Sequence, residues 1–197
     1  MMNLKFNKLR TFRVRKLTVT LLCVAGVWNT CQSQNIGIKT NLLYDVTTTL
    51  NLGVEFGLGS KTTMDISGNY NPWKFHEFRL KHFLVQPEWR YWTCEKFNGH
   101  FFGIHGFYAN YNVGGLPLSR NMKHNRYQGH LYGGGISYGY QWILNDYWNI
   151  EASIGLGYAH LNDKKYPCAE CGDMIKKDNH NYIGPTKIAV SIIYIIK

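Results

Sequence analysis

The chain has 197 residues, which suits a single domain, and it combines 45% hydrophobic residues with a formal net charge of +10. No segment holds 18 or more consecutive apolar residues, so a membrane-spanning helix is excluded on length. Six of the 22 basic residues and none of the 12 acidic ones precede residue 34, which leaves +4 for the remainder. That charge is dispersed and forms no basic stripe, which argues against nucleic acid as a partner.

The N-terminal segment has the pattern of an export signal. Its basic residues precede an apolar run, residues 17–28, that is too short to cross a bilayer as a helix. Small residues at Cys31 and Ser33 satisfy the rule for cleavage after Ser33, whereas the residues before Cys31 fit a lipoprotein site poorly. We therefore predict a signal peptide over residues 1–33 and a folded domain over residues 34–197.

Beyond the signal, short segments alternate apolar residues with small or polar ones. Period-two alternation sends one set of side chains to each face of a strand, so each strand gains an apolar and a polar face. A closed barrel satisfies backbone groups in lipid with strands of roughly 9–11 residues. The sequence predicts an all-β fold, an eight-stranded antiparallel transmembrane β-barrel, with strands near residues 35–44, 50–58, 62–70, 81–92, 100–111, 128–143, 147–160 and 182–196.

The connections between these strands alternate in length. Short turns are predicted at 59–61, 93–99 and 145–146, and longer polar loops at 71–80, 113–127 and 161–181. Outer-membrane barrels place short turns in the periplasm and long loops outside. The alternation predicts the outer membrane of a Gram-negative bacterium, although the connection at 45–49 is short for an outside loop.

Aromatic residues provide a second indication of a membrane. They are predicted near strand ends, and their amphipathic rings prefer the headgroup zone of a bilayer. The alternative is a soluble β-sandwich or lipocalin-like barrel whose apolar face points inward. The aromatic residues concerned are Tyr44, Tyr70, Trp73, Trp89, Tyr91, Trp92, Tyr108, Tyr111, Tyr138, Tyr140, Trp142, Tyr147, Trp148, Tyr158 and Tyr194.

Charged residues recur on the face opposite the apolar one. An eight-stranded barrel is only wide enough inside for side chains. Four acids against three bases nearly balance, as a desolvated ion-pair network requires. We interpret them as the packing of a plugged lumen, with an ion or proton path as the alternative. The set is Lys39, Glu55, Asp65, Glu88, Arg90, Glu151 and Lys187.

The sharpest local motif is Cys168-Ala169-Glu170-Cys171 in the last predicted loop. A disulfide, half of a zinc site completed by His160 and His180, and a redox pair all fit this spacing. We predict no catalytic residue, no bound metal and no cofactor. The alternative enzyme would modify lipid with a Ser and a His on the outer rim of the barrel, which would be Ser119 and His124 in the loop at 113–127.

Several motifs, taken in order, resemble the Bacteroidetes-type outer-membrane proteins grouped as domain of unknown function 3575. The similarity runs from about residue 35 to the end of the chain. It implies a small outer-membrane β-barrel without an assigned activity, and Cys168 and Cys171 match a paired cysteine of that family. The motifs are KTNLLYD (39–45), YNPW (70–73), QPEWRYW (86–92), FNGHFFG (97–103), YNVGG (111–115) and GPTK (184–187).

The function predicted from these features is that of a structural anchor or surface-interaction protein. Its specificity would lie in the loops at 113–127 and 161–181, because loops on rigid scaffolds carry function. The expected partners are outer-membrane lipid and an extracellular protein or glycan. A rim-located lipid-modifying enzyme and a narrow ion channel are the alternatives.

Overall fold

The structure is a computed structural model that describes residues 35–73, 79–114, 126–166 and 176–196. The predicted signal peptide and the predicted site residues Ser119, His124, Cys168 and Cys171 lie outside the described residues. The compact unit that holds all the described strands begins at Asn35. Within the described part of the chain, no helix combines the length and the apolar character needed to cross a membrane.

The described chain folds into strands and one short helix. The helix, α1, has 5 residues, Leu42–Val46. The strands are β1 (Ile36–Asn41), β2 (Leu50–Gly57), β3 (Thr62–Asn71), β4 (Arg79–Trp92), β5 (Gly99–Gly114), β6 (Arg126–Ile143), β7 (Trp148–Tyr166) and β8 (Lys176–Ile196).

All eight strands form one antiparallel sheet that closes into a ring. Each strand pairs with the next, and β1 also pairs with β8, with Ile36 opposite Ile196. The prediction of an all-β, eight-stranded antiparallel sheet is therefore confirmed. The short connections 58–61, 93–98 and 144–147 lie at one end of the ring, the turn end. The opposite end, where α1 lies and where β3, β5 and β7 finish, is the loop end.

Five strands are longer than the roughly 9–11 residues that a tilted transmembrane strand requires. β4, β5, β6, β7 and β8 have 14, 16, 18, 19 and 21 residues. The predicted loops at 113–127 and 161–181 therefore contribute residues to strands at both of their ends. Backbone groups bond across the ladder whatever side chains they carry, so strands extend into polar sequence where the apolar alternation has stopped.

The prediction that residues 42–44 belong to the first strand was wrong, because they begin α1. The strand ends at Asn41, whose side-chain oxygen accepts a hydrogen bond from the amide of Leu43 at 3.1 Å. This is the bond that an N-cap makes to an otherwise unpaired helical amide. Helix α1 occupies part of the short connection that followed the first predicted strand.

The two faces of the ring have opposite polarity. Ile104, Ile136 and Leu156 lie side by side on β5, β6 and β7, and each exposes more than half of its surface outward, at 63%, 67% and 56%. Inside the ring, Arg90 and Glu55 are fully buried. The sheet therefore carries exposed aliphatic side chains on its outer face and buried charged ones on its inner face.

Candidate functional site

The interior of the ring holds the seven charged residues that alternation assigned to one face. All seven belong to strands and point inward, and their side chains are at most 8% exposed. We call them the charge cluster. Its members are Lys39 on β1, Glu55 on β2, Asp65 on β3, Glu88 and Arg90 on β4, Glu151 on β7 and Lys187 on β8.

Arg90 is the centre of the charge cluster. Its Nη1 lies 2.8 Å from Glu55 Oε2 and 2.7 Å from Glu151 Oε2, and its Nη2 lies 3.1 Å from Asp65 Oδ2 and 3.0 Å from Glu151 Oε1. Its Nε donates to Glu88 Oε1 at 3.2 Å. The guanidinium thus contacts four carboxylates from four strands, and its pair with Glu151 is bidentate, which fixes orientation as well as charge.

The two lysines complete the pairing of the carboxylates around Arg90. Lys39 Nζ lies 2.9 Å from both Glu55 Oε2 and Asp65 Oδ2. Lys187 Nζ is paired with Glu88 Oε2. Every cation of the charge cluster therefore contacts at least one carboxylate. Since an unpaired buried charge costs several kcal/mol, this mutual pairing is what allows the charges inside the ring.

Hydroxyl groups and one glycine complete the surroundings of the carboxylates. Thr63 Oγ1 donates to Glu55 Oε1 at 2.5 Å, and Ser137 Oγ donates to Glu88 Oε1 at 2.7 Å. A Cβ at Gly103 would collide with Glu88 Oε1 and Ser137 Oγ. Gly103 therefore leaves the room in which this carboxylate and this hydroxyl meet. The extra donors satisfy lone pairs that the cations leave open.

An apolar plug closes the interior on the turn-end side of the charge cluster. The rings of Trp92 and Phe101 have centroids 4.8 Å apart, and those of Trp92 and Phe97 are 6.1 Å apart. Ile193 and Ile195 of β8 pack with Phe97. Arg90 joins the two layers, because its Cζ lies 4.3 Å from the centroid of the Phe101 ring. We call these five apolar residues the apolar plug.

The apolar plug shows that the prediction for Trp92 was wrong, and it contains two isoleucines that the sequence analysis did not place inside the ring. Trp92, predicted in the outward aromatic belt, points inward and is fully buried. Its position in the alternation contained the signal, because it follows Glu88 and Arg90 on the same face of β4. Ile193 and Ile195 were not predicted inside, although they continue the inward face of Lys187.

Histidines proposed as partners of the cysteine pair do not converge. His160 lies opposite Asn181, and His180 lies opposite Leu161, so the two imidazoles lie on opposite faces of the sheet. His160 Nδ1 is 2.7 Å from Asn181 Oδ1, and His180 Nδ1 is 3.3 Å from Asp163 Oδ1. Among the described residues, no group of three or more His, Cys, Asp or Glu is arranged to hold a metal ion.

Among the described residues the one cysteine is Cys94, which is exposed and free at the turn end. It lies in the connection between β4 and β5, and its Sγ is 3.9 Å from Thr93 Oγ1. This thiol is exposed in the connection at the turn end, whereas the side chains of the charge cluster are buried inside the ring. The structure therefore gives it no part in the interior site.

These features define a class of protein: an all-β chain whose eight-stranded antiparallel sheet closes into a ring around paired charges. The chain belongs to the family described as "Protein of unknown function (DUF3575)", whose model matches residues 18–196. Neither a curated protein nor a solved structure gives a match.

Three of the motifs that carried the resemblance contribute residues to the interior of the ring or to its irregular register. QPEWRYW contributes Glu88, Arg90 and Trp92 to the interior. FNGHFFG contributes Phe97 and Phe101 to the apolar plug. GPTK lies where the register between β7 and β8 shifts, since Gly155 faces Lys187 whereas Leu156 faces Pro185. This bulge leaves Thr186 as the extra residue, and its Oγ1 lies 2.9 Å from His105 Nε2.

Proposed function

We propose that the ring is a β-barrel that spans the outer membrane with its apolar face in lipid. The observation that supports this is the inverted polarity of the sheet. Ile104, Ile136 and Leu156 form a continuous exposed aliphatic band, while the charge cluster is buried inside. An apolar band of this extent on a water-soluble monomer would be unusual, and lipid tails are the environment that it suits.

Aromatic side chains on the outer face support the same placement. Tyr132 and Trp142 of β6 are exposed and ten residues apart, and so are Trp148 and Tyr158 of β7. Ten steps of ~3.4 Å along a strand tilted by ~40° span about 26 Å. The apolar band of an outer-membrane barrel is about 25 Å tall between two aromatic girdles. Both strands therefore have the spacing that a bilayer requires.

A plugged barrel suits an anchor or a surface-interaction protein better than a pore. The charge cluster and the apolar plug fill successive layers of the interior, and eight strands leave little room for water. We expect no steady conductance of porin size in planar bilayers. The strands β6, β7 and β8 continue past the aromatic residues at the loop end, where they would present polar residues to an extracellular protein or glycan.

The decisive test compares two exposed isoleucines at different depths of the proposed band. Ile136 is 67% exposed at mid-height, and Ile183 is 84% exposed beside Tyr158. In a membrane, Ile136→Arg should destabilise the fold by about 2–4 kcal/mol and Ile183→Arg by at most about 1 kcal/mol. In a water-soluble ring, neither exposed substitution should destabilise it.

The measurement is urea unfolding followed by heat-modifiable gel mobility, after membrane fractionation. Wild-type protein should sediment with outer membranes and migrate faster before boiling than after it. A detergent-free, soluble monomer would contradict the proposal, and so would equal tolerance of Ile136→Arg and Ile183→Arg. Replacing residues 115–125 and 167–175 by short Gly-Ser linkers should leave assembly intact, because the charge cluster and the apolar plug lie elsewhere.

A further inference from the structure

The ring has an irregular wall at the loop end, between β2 and β8. β1 pairs with β2 only as far as Lys39, opposite Gly53, and with β8 as far as Asn41, opposite Ser191. Beyond Asn41, no described strand lies between β2 and β8, and α1 contacts both of them instead. This part of the wall is therefore held by side chains rather than by a continuous backbone ladder.

Two asparagines form most of that side-chain connection. Asn41 Oδ1 accepts from the backbone amide of Val190 on β8 at 3.2 Å. The backbone amide of Asn41 donates to Asn51 Oδ1 on β2 at 2.6 Å. Asn51 Nδ2 also donates to Asp45 Oδ1 of α1 at 2.7 Å. The helix is thus tied to both neighbouring strands while leaving space behind it.

That space is a cavity of about 290 Å³ between α1 and the charge cluster, which we call the interior pocket. It is lined by Tyr44 of α1, by Lys39 and Asp65 of the charge cluster, and by Ser67 and Gln86. Its volume is close to the lower bound of about 300 Å³ for small-molecule sites. Burial raises the pKa of the Tyr44 phenol, so this hydroxyl stays protonated and able to donate.

Two buried polar atoms of the interior pocket have no hydrogen-bond partner among the described residues. They are Asp65 Oδ1 and Gln86 Nε2, on side chains that are 2% and 6% exposed. Gln86 lies opposite Ser67, two positions along β3 from Asp65, so both side chains share one inward face. An acceptor and a donor therefore lie near each other on adjacent strands. Each atom has almost no surface open to the interior pocket, and buried polar groups left without partners are costly, so a rotation of either side chain towards a ligand would be favourable.

The charges around the interior pocket argue against a charged ligand. Asp65 Oδ2 already contacts Lys39 and Arg90, and Lys187 is paired with Glu88. No cation of the charge cluster is left over for a phosphate. A cationic ligand would meet the ammonium of Lys39, 2.9 Å from Asp65 Oδ2. Adjacent neutral hydroxyls fit better, because each hydroxyl both donates and accepts.

We propose that the interior pocket binds a neutral polyhydroxylated group of the sugar-ring class, with one hydroxyl donating to Asp65 Oδ1 and a neighbouring one accepting from Gln86 Nε2. Such a group could come from a free sugar at the loop end or from the sugar headgroup of a lipid beside α1. The inference goes beyond the proposed function, since the pocket has the same geometry whether the ring spans a membrane or not.

The test uses purified protein in tetraethylene glycol monooctyl ether, a detergent without a sugar. The probes are the methyl glycosides of glucose, galactose and mannose, and octyl glucoside below its critical micelle concentration. Backbone amide NMR should report saturable shifts of residue 86 with at least one probe, a signal that every variant retains. Gln86→Leu should weaken binding about tenfold, because it removes one buried donor.

Gln141→Leu is the matched control. Gln141 is also buried, at 1% exposed, and its amide also has no partner among the described residues, but it does not line the interior pocket. This variant should bind as tightly as wild type. If Gln86→Leu does not assemble, Gln86→Met keeps the length of the side chain and removes the same donor.

Each outcome decides the proposal. Saturation by a methyl glycoside supports a free sugar, and saturation by octyl glucoside alone supports a lipid headgroup. The proposal is overturned if no probe saturates, if only phosphate or ethanolamine does, or if Gln86→Leu and Gln141→Leu weaken binding equally. A ring that is soluble without detergent yet binds a methyl glycoside would contradict the proposed membrane placement and leave this inference standing.

Discussion

The turn end and the loop end of the interior are built on opposite principles. Towards the turn end, Trp92 and Phe101 pack ring against ring, and Arg90 above them contacts four carboxylates. Towards the loop end, the interior pocket is lined by polar side chains, among them Ser67, Asn69 and Gln86. Buried apolar contacts stabilise a fold in proportion to the surface that they remove from water, whereas polar side chains around a cavity leave hydrogen-bonding groups for a ligand. The stability of the ring therefore depends mainly on one end and its capacity to bind mainly on the other.

Strands β7 and β8 also differ between the turn end and the loop end. At the loop end, Lys164 lies directly opposite Lys177, and Lys165 lies opposite Lys176. Like charges in directly opposed positions destabilise a strand pair. At the turn end, Trp148 of β7 lies opposite Tyr194 of β8, with ring centroids 5.1 Å apart. The same two strands thus attract each other at one end and repel each other at the other.

The largest effect is expected from removing the centre of the charge cluster. Arg90→Met leaves four buried carboxylates to two lysines, which should lower the free energy of unfolding by about 3–5 kcal/mol. Urea unfolding in detergent micelles, followed by tryptophan fluorescence, measures the change. Arg126→Met is the control at the loop end, where the Arg126 Cζ lies 4.2 Å from the centroid of the Tyr166 ring.

The control substitution removes a cation–π contact and should lower the free energy of unfolding by at most about 1 kcal/mol. Equal losses in Arg90→Met and Arg126→Met would show that stability is not concentrated towards the turn end. A stable Arg90→Met variant would mean that the carboxylates tolerate burial without their central cation, contrary to the pairing argument.

The next prediction is a difference in stability between two substitutions of Phe97 in the apolar plug, and this difference is smaller than the loss expected for Arg90→Met. Its φ of 64° lies in the left-handed region, which costs an L residue about 1–2 kcal/mol. Phe97→Ala and Phe97→Gly both lose the buried ring, at about 3–5 kcal/mol. Glycine adopts this φ without strain, so Phe97→Gly should be the more stable of the two by about 1 kcal/mol in urea unfolding.

Phe101 is the control for that order. It is equally buried, but it lies within β5, where glycine weakens a strand. Phe101→Gly should therefore be less stable than Phe101→Ala. The same order at both positions would mean that the backbone of Phe97 carries no strain.

Alternation made the chemistry of the two faces predictable from sequence. Glu88, Arg90 and Trp92 share one face of β4 because a strand has a period of two. At Trp92 the two signals disagree, because its residue type predicts an outward aromatic at a strand end whereas its position in the alternation predicts an inward one, and the structure follows the position. The contact between Arg90 and Glu151 joins residues 61 positions apart. Only the closure of the ring and its register bring such positions together.

Alternation of polarity does not predict two local irregularities of the backbone, helix α1 and the bulge in β8. Residues 42–44 are apolar enough to continue a strand, and the N-cap bond at Asn41 is the local feature that marks the start of α1. The bulge at Thr186 shifts the register of β8 by one residue, which a pattern of polarity does not reveal when both neighbours are small or charged. The interior pocket depends on α1 and on this bulge, so sequence reasoning missed it.

The smallest effect is expected at the loop end, from reversing one lysine of an opposed pair. Lys164→Glu places a carboxylate across from Lys177 and should raise the free energy of unfolding by about 0.5 kcal/mol. Lys164→Gln removes the repulsion without adding attraction, so it should fall between Lys164→Glu and wild type. In 1 M NaCl, where the screening length is ~3 Å, the three proteins should unfold at similar urea concentrations. A difference that survives salt would contradict the electrostatic explanation, whereas its loss would show that the opposed lysines destabilise the loop end through repulsion between their charges.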